Sequence, residues 1–255
     1  YFPLYGPDVL IAGGEAKYYP CLFENEFVPT IESLESLVDD KTVAILYNFP
    51  SNPTGATLTA EQRDDLLDFA KRHQLWIMSD EVYDRIVYDV EHVSFLGTGY
   101  NRTLMINSFS KTFAMTGWRI GYICSPNNEA MSQIIKMQYY ITACSNDAMQ
   151  YAVLTAFDEA STYPEEMAKE FQSRRDLICS RLNSMPGVSC HIPKGAFYVF
   201  PKVEVPGMNS QELAIELLKG GVLSSPGSAF GKSGEGHIRF AYTVSREDIS
   251  LGMDK

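Results

Sequence analysis

Short apolar runs alternate with amphipathic stretches along the first half of the chain, and that alternation predicts an α/β architecture. Residues 42–47, 75–79, 104–108 and 119–123 form near-continuous apolar runs of strand length, the pattern of strands covered on both faces of a mostly parallel sheet with flanking helices. Between the first two runs lies a helical pattern over 59–72. Thr59 and Gln62 have capping-box spacing there, and Leu66, Phe69 and Ala70 recur on one face. Such a helix supplies the crossover that parallel strands need. Further helical patterns cover 129–160 and 164–183. After Pro186-Gly187, strand-like runs at 196–200 and 237–242 enclose a helix over 211–218, which reads as a smaller α+β unit. The expected division is a large domain over 1–165 and a small C-terminal domain over 166–255. The chain opens at Tyr1 rather than Met, and the capping signal Ser245-Arg246-Glu247-Asp248 stands about two turns from the end, short for a helix that must bury a stripe, so a partial chain is expected.

The 255 residues, 45% of them hydrophobic, are enough to bury a sizeable core. Charge sums to 21 − 32 = −11, which repels phosphate backbones and anionic lipid, so neither nucleic acid nor membrane is an expected partner. No run approaches the roughly 18 apolar residues of a membrane span, and the expectation is a cytoplasmic protein with small-molecule partners. The five cysteines show no C-x-x-C spacing, and the four histidines are scattered without H-E-x-x-H, so no metal site is expected. Gly231-Lys232-Ser233 fails as a phosphate loop because Pro226 stands where its first glycine is needed.

In open α/β sheets ligands sit beyond the carboxyl ends of the strands. Three of the runs lead into polar clusters: Asn48 to Gly55, with Asn52-Pro53-Thr54-Gly55 at its end; Asp80-Glu81-Val82-Tyr83; and Ser108-Phe109-Ser110-Lys111. Taken singly these are a turn, a helix cap and a surface lysine. Read in order, N-P-T-G from Asn52, S-D-E-V-Y around Asp80 and S-F-S-K-T-F-A-M-T-G-W-R-I-G-Y from Ser108 closely resemble the signature of class I and II aminotransferases. The resemblance implies pyridoxal 5′-phosphate (PLP) fold type I, with PLP as cofactor. It extends over the whole chain, with Ser225 to Gly231 and His237 to Tyr242 similar to elements of the family's small domain.

That resemblance also implies roles. Lys111 would hold PLP as a Schiff base and later act as the base near the substrate α-carbon, which suits a lysine able to shed its proton. Asp80 would keep the pyridine nitrogen protonated, and Asn52 and Tyr83 would hydrogen-bond the ring's 3-oxygen. Ser108 and Arg119 match the phosphate contacts, Phe2 the ring-stacking aromatic, and Arg239 the guanidinium that grips the substrate α-carboxylate through two parallel hydrogen bonds. The implied catalytic set is Lys111, Asp80 and Tyr83, with Arg239 and Asn52 at the substrate. The implied reaction is transamination between an L-amino acid and a 2-oxo acid in two half-reactions, and the family's habit of sharing sites between subunits implies a homodimer. A β-eliminating C–S lyase on the same scaffold and a non-catalytic binding module are the competing readings.

Overall fold

The computed structural model describes residues 1–255. Its contacts group the chain into two units that do not follow chain order: one comprises 38–50 and 58–168, the other 1–37, 51–57 and 169–255. The grouping thus differs from a single cut at 165, because the early segments 1–37 and 51–57 make their contacts with the C-terminal part. The later change of unit falls inside the long helix Tyr163–Asn183.

The first of these units is built on a four-stranded sheet of β1 (Ala44–Asn48), β2 (Trp76–Asp80), β3 (Thr103–Ser108) and β4 (Gly121–Cys124), in that order. The first three run parallel and β4 is antiparallel to β3, giving the mostly parallel sheet expected from the apolar runs. The crossover helix Ala60–Arg72 begins at the capping box read from the sequence, with Thr59 accepting from Gln62 N and the Gln62 side chain returning the bond. It buries Leu66, Leu67, Phe69 and Ala70, and the Tyr47 hydroxyl donates to Leu66 O.

Burial along β1, β2 and β3 strictly alternates between buried and half-buried. Ile45, Tyr47, Ile77, Ser79, Thr103 and Met105 lie on the buried face. Successive strand residues point to opposite faces, so Asn48, Asp80 and Ser108 share the half-buried one. β4 begins two residues later than its apolar run because Arg119 has a left-handed backbone, φ 54°, which ends the strand pattern there. Gly121 opens β4 where a Cβ would stand 2.5 Å from Asn107 O, so only glycine permits this pairing. The helical pattern over 129–160 is in fact two helices, Asn128–Thr142 and Asp147–Glu159. Ala143 at φ 60° stops the first, and the Asn146 side chain caps the second.

The second unit is the smaller α+β assembly. Tyr198–Val199, Ile238–Ala241 and Ser225–Pro226 form an antiparallel sheet, Val188–Ser189 pairs with Lys202–Val203, and the helix Ser210–Lys219 starts at an Asn209/Glu212 capping box. The strand expected over 196–200 is reduced to two residues, since Ala196 has φ 55°. Phe27, Phe200 and Phe230 form an aromatic core, and His237 stacks on Phe200 at 5.0 Å.

Candidate active site

The carboxyl ends of β1, β2 and β3 are level: Asn48 pairs in register with Asp80, and Asp80 with Ile106, two residues before Ser108. Asp80 closes β2, its Oδ1 accepts from Val82 N at 3.2 Å, and its carbonyl accepts from Asn48 Nδ2 at 3.1 Å. The turn that follows buries Tyr83, 4% exposed. At the end of β3, Ser108 caps the short helix Phe109–Thr112, accepting from Ser110 N and donating to Ile120 O. Asn107 Oδ1 accepts from Ser108 N at 2.7 Å, so a buried amide fixes the peptide before the cap.

Lys111 lies in that capped turn with its Nζ 5.9 Å from the centre of the Tyr83 ring. Burial and, after it, the nearby Arg119 charge hold its ammonium below lysine's ordinary range. Arg119 itself is exposed, with Nη1 donating to Thr116 O at 2.9 Å. Phe109, Phe113 and Ile120 seat this segment against Val153 and Ala156 of the helix Asp147–Glu159. The unit therefore brings Asp80, Tyr83, Ser108 and Lys111 together at the strand ends, with Arg119 close enough to act on Lys111.

The other unit holds Asn52, Arg239 and Phe2. Asn52 is buried in the turn Ser51–Gly55, where Ser51 N donates to Ala56 O and Gly55 N to Ser51 O. The Asn52-Pro53 peptide is cis. Its Oδ1 accepts from Arg239 Nη1 at 2.9 Å, and Arg239 Nη2 donates to Ser225 Oγ, its cross-strand neighbour, at 3.1 Å. The guanidinium lies between Tyr198 and Phe230, 4.6 and 4.7 Å from their ring centres. These two oxygens and two ring faces orient the plane of the fork. Phe2 is half-buried and meets Tyr5 edge-on at 5.6 Å.

Sequence reasoning passed over Asn48, Asn107 and Ser225 as site residues. Asn48 and Asn107 both stand at strand ends, a position that already singled out their neighbours. Ser225 carries no signal until its register with Arg239 is known.

The donor set fits PLP. An amine that loses its proton more readily than free lysine suits attack on an aldehyde, a carboxylate at a strand end suits a pyridinium, and a hydroxyl with an exposed guanidinium suits a phosphate.

The family model "Aminotransferase class I and II" matches residues 1–255. The chain is 40% identical over its whole length to the aspartate aminotransferase of Pyrococcus abyssi and 41% to aromatic-amino-acid aminotransferase 2 of Thermococcus litoralis, and spans 66% of the length of each. The crystal structure of an aromatic aminotransferase from Pyrococcus horikoshii superposes with a TM-score of 0.93 at 40% identity, covering 98% of this chain and 68% of that one. The α/β fold is thus that of fold type I aminotransferases, and the chain belongs to the class I and II aminotransferase family.

Proposed function

We propose that the protein moves an amino group between an L-amino acid and a 2-oxo acid, with PLP held by Lys111. Class I and II aminotransferases of the aspartate and aromatic type depend on this cofactor, which when bound supplies an aldehyde and an electron-withdrawing ring. The observation that carries the reading is the Lys111 amine, set beside Tyr83 and Arg119 and pushed toward its neutral form.

On this reading Lys111 would be the residue that anchors the aldehyde of the bound cofactor, and its free amine would be the group placed to hold or move a proton at the substrate α-carbon. Asp80 holds the proton on the ring nitrogen, and each unit by which it raises that pKa is worth about 1.4 kcal/mol. Asn52 and Tyr83 would hydrogen-bond the ring oxygen, Ser108 and Arg119 would hold the phosphate, and Phe2 would pack against the ring. Arg239 grips the α-carboxylate through its fork, with Asn52 beside it. The residues proposed to hold the cofactor all lie within 1–165, the expected large domain, and Arg239 lies within 166–255, the expected small one. Exposed apolar residues on the two helices after β4, among them Ile135, Tyr140, Ile141, Tyr151 and Leu154, support a homodimer. No helix is long and apolar enough to cross a membrane. The net charge of −11, which repels phosphate backbones and anionic lipid, favours small-molecule partners over nucleic acid or membrane.

The test adds PLP to the protein and to Lys111→Ala, reduces both with borohydride and locates the pyridoxyl group by peptide mass spectrometry. Label confined to Lys111 is expected, followed by acceptor-dependent formation of a 2-oxo acid from an amino-donor panel. Absence of label at Lys111 overturns the reading. Pyruvate and ammonia released without an acceptor would replace transamination by elimination.

A further inference from the structure

Next to Asp80 lies a charged side chain that the reading above leaves without a role. Glu81 is 3% exposed. Its Oε1 accepts from Ser79 Oγ at 2.7 Å, Ser94 Oγ at 3.0 Å and Phe95 N at 3.3 Å, and its Oε2 meets His92 Nε2 at 2.8 Å. Its own peptide is fixed as well, with N donating to Ile106 O and the carbonyl accepting from Asp84 N. Carboxylates are seldom buried so completely, and one that is must be paired or fully hydrogen-bonded. Apart from the local bond from Asp84 N, these bonds reach out of the turn: to β2 through Ser79, to β3 through Ile106, and to the 92–95 loop through three groups. That loop is tied in turn to the crossover helix, since Arg63 Nη1 donates to Ser94 O at 2.9 Å.

We infer that Glu81 is a positioning residue for the Asp80–Tyr83 turn, with His92 as its hydrogen-bonding counterpart, and that it fixes both site side chains without touching substrate or cofactor. What Asp80 and Tyr83 do rests on the proposed function; that Glu81 holds them in place does not. Alternation along the chain puts the Asp80 and Glu81 side chains on opposite sides, so Glu81 anchors the back of the turn while Asp80 stands on the half-buried face. Tyr83 follows two residues later, and Ile86 N donates to Tyr83 O, so a shift at Glu81 is passed to both. The charge of His92 reaches Asp84, and that of Glu81 reaches the Tyr122 hydroxyl. An apolar residue of the same size would fill the space yet leave four donors without an acceptor.

The experiment compares the wild type with Glu81→Gln, His92→Ala, His92→Gln and Thr59→Ala, the last removing a helix cap away from the turn. Amide exchange over residues 80–86 is followed without cofactor, and PLP affinity by titration. Glu81→Gln and His92→Ala are expected to speed exchange across the turn and to weaken PLP binding, each by about tenfold, the loss of one charge-assisted bond. His92→Gln, whose amide can donate where Nε2 does, should recover most of both effects. Thr59→Ala should lower stability and move neither. Exchange over 80–86 unchanged in Glu81→Gln and His92→Ala overturns the inference, as does a loss of PLP affinity no larger than that of Thr59→Ala. A wild type that binds no PLP refutes the proposed function instead, and exchange then decides the role of Glu81. Should Glu81→Gln not fold, the two His92 variants decide it.

Discussion

Gly55→Ala tests whether the turn bearing Asn52 is held by close packing. Gly55 has φ +68°, a left-handed backbone that costs a residue with a Cβ about 1–2 kcal/mol. The added methyl would also meet Pro193 Cβ at 2.3 Å, Gly195 O at 2.8 Å and Tyr198 O at 3.1 Å. Ordinary contact begins at 3.4 Å, so against Pro193 the two must part by 3.4 − 2.3 = 1.1 Å. The segment at Pro193 cannot yield freely, because the buried Arg175 holds Pro193 O. The Ser51–Gly55 turn moves instead and carries Asn52 with it. A comparable shift would stretch the 2.9 Å bond from Arg239 to Asn52 beyond hydrogen-bonding distance, and a bond to a charged group is worth about 1.5–3 kcal/mol. Together the strain and the lost bond predict a destabilisation of about 2.5–5 kcal/mol in urea unfolding. On the proposed function they also predict a rise of about tenfold in KM for the amino donor. The control is Gly97→Ala, where a Cβ meets nothing within 4 Å and φ is not positive. Equal urea midpoints for the two variants, with unchanged KM, would refute the argument.

Arg119→Met removes the second cause of the low Lys111 pKa and leaves burial in place, so the midpoint for neutral amine should rise part of the way toward 10.5. Lys111 would then react at a given pH below that midpoint more slowly than in the wild type. Reductive methylation of the cofactor-free protein, read at Lys111 by mass spectrometry across pH, measures this, and a midpoint that stays or falls contradicts it. Ile77→Ala hollows the centre of the buried sheet face, where Ile77 is 0% exposed, and should cost about 2–5 kcal/mol by urea unfolding. A cost under 1 kcal/mol would mean that this face is not the core.

The elements most legible in the sequence are those whose cause is local. The crossover helix starts where Thr59 and Gln62 say it should because both halves of a capping box lie within one turn. The parallel strands follow from apolar runs, and their polar ends pointed to Asn52, Asp80 and Lys111. Boundaries set by an unfavoured backbone conformation were not legible. Arg119, Ala143 and Ala196 take left-handed backbones that their residue types do not favour, and each ends an element that the pattern would continue. The same division runs through the candidate site. Arg239 stands out as a cation in an apolar strand, but its partner Asn52 is 187 positions away and no spacing rule joins them. Glu81 reads as one more carboxylate after Asp80, and only the return of the chain at His92, Ser94 and Phe95 adds three donors to the one from Ser79. Local sequence thus names groups that can do chemistry, whereas the partners that orient them are fixed by long-range packing. Substitutions at the partners should therefore change geometry and affinity while leaving the reactive groups in place, which sets Glu81→Gln and Gly55→Ala apart from Lys111→Ala.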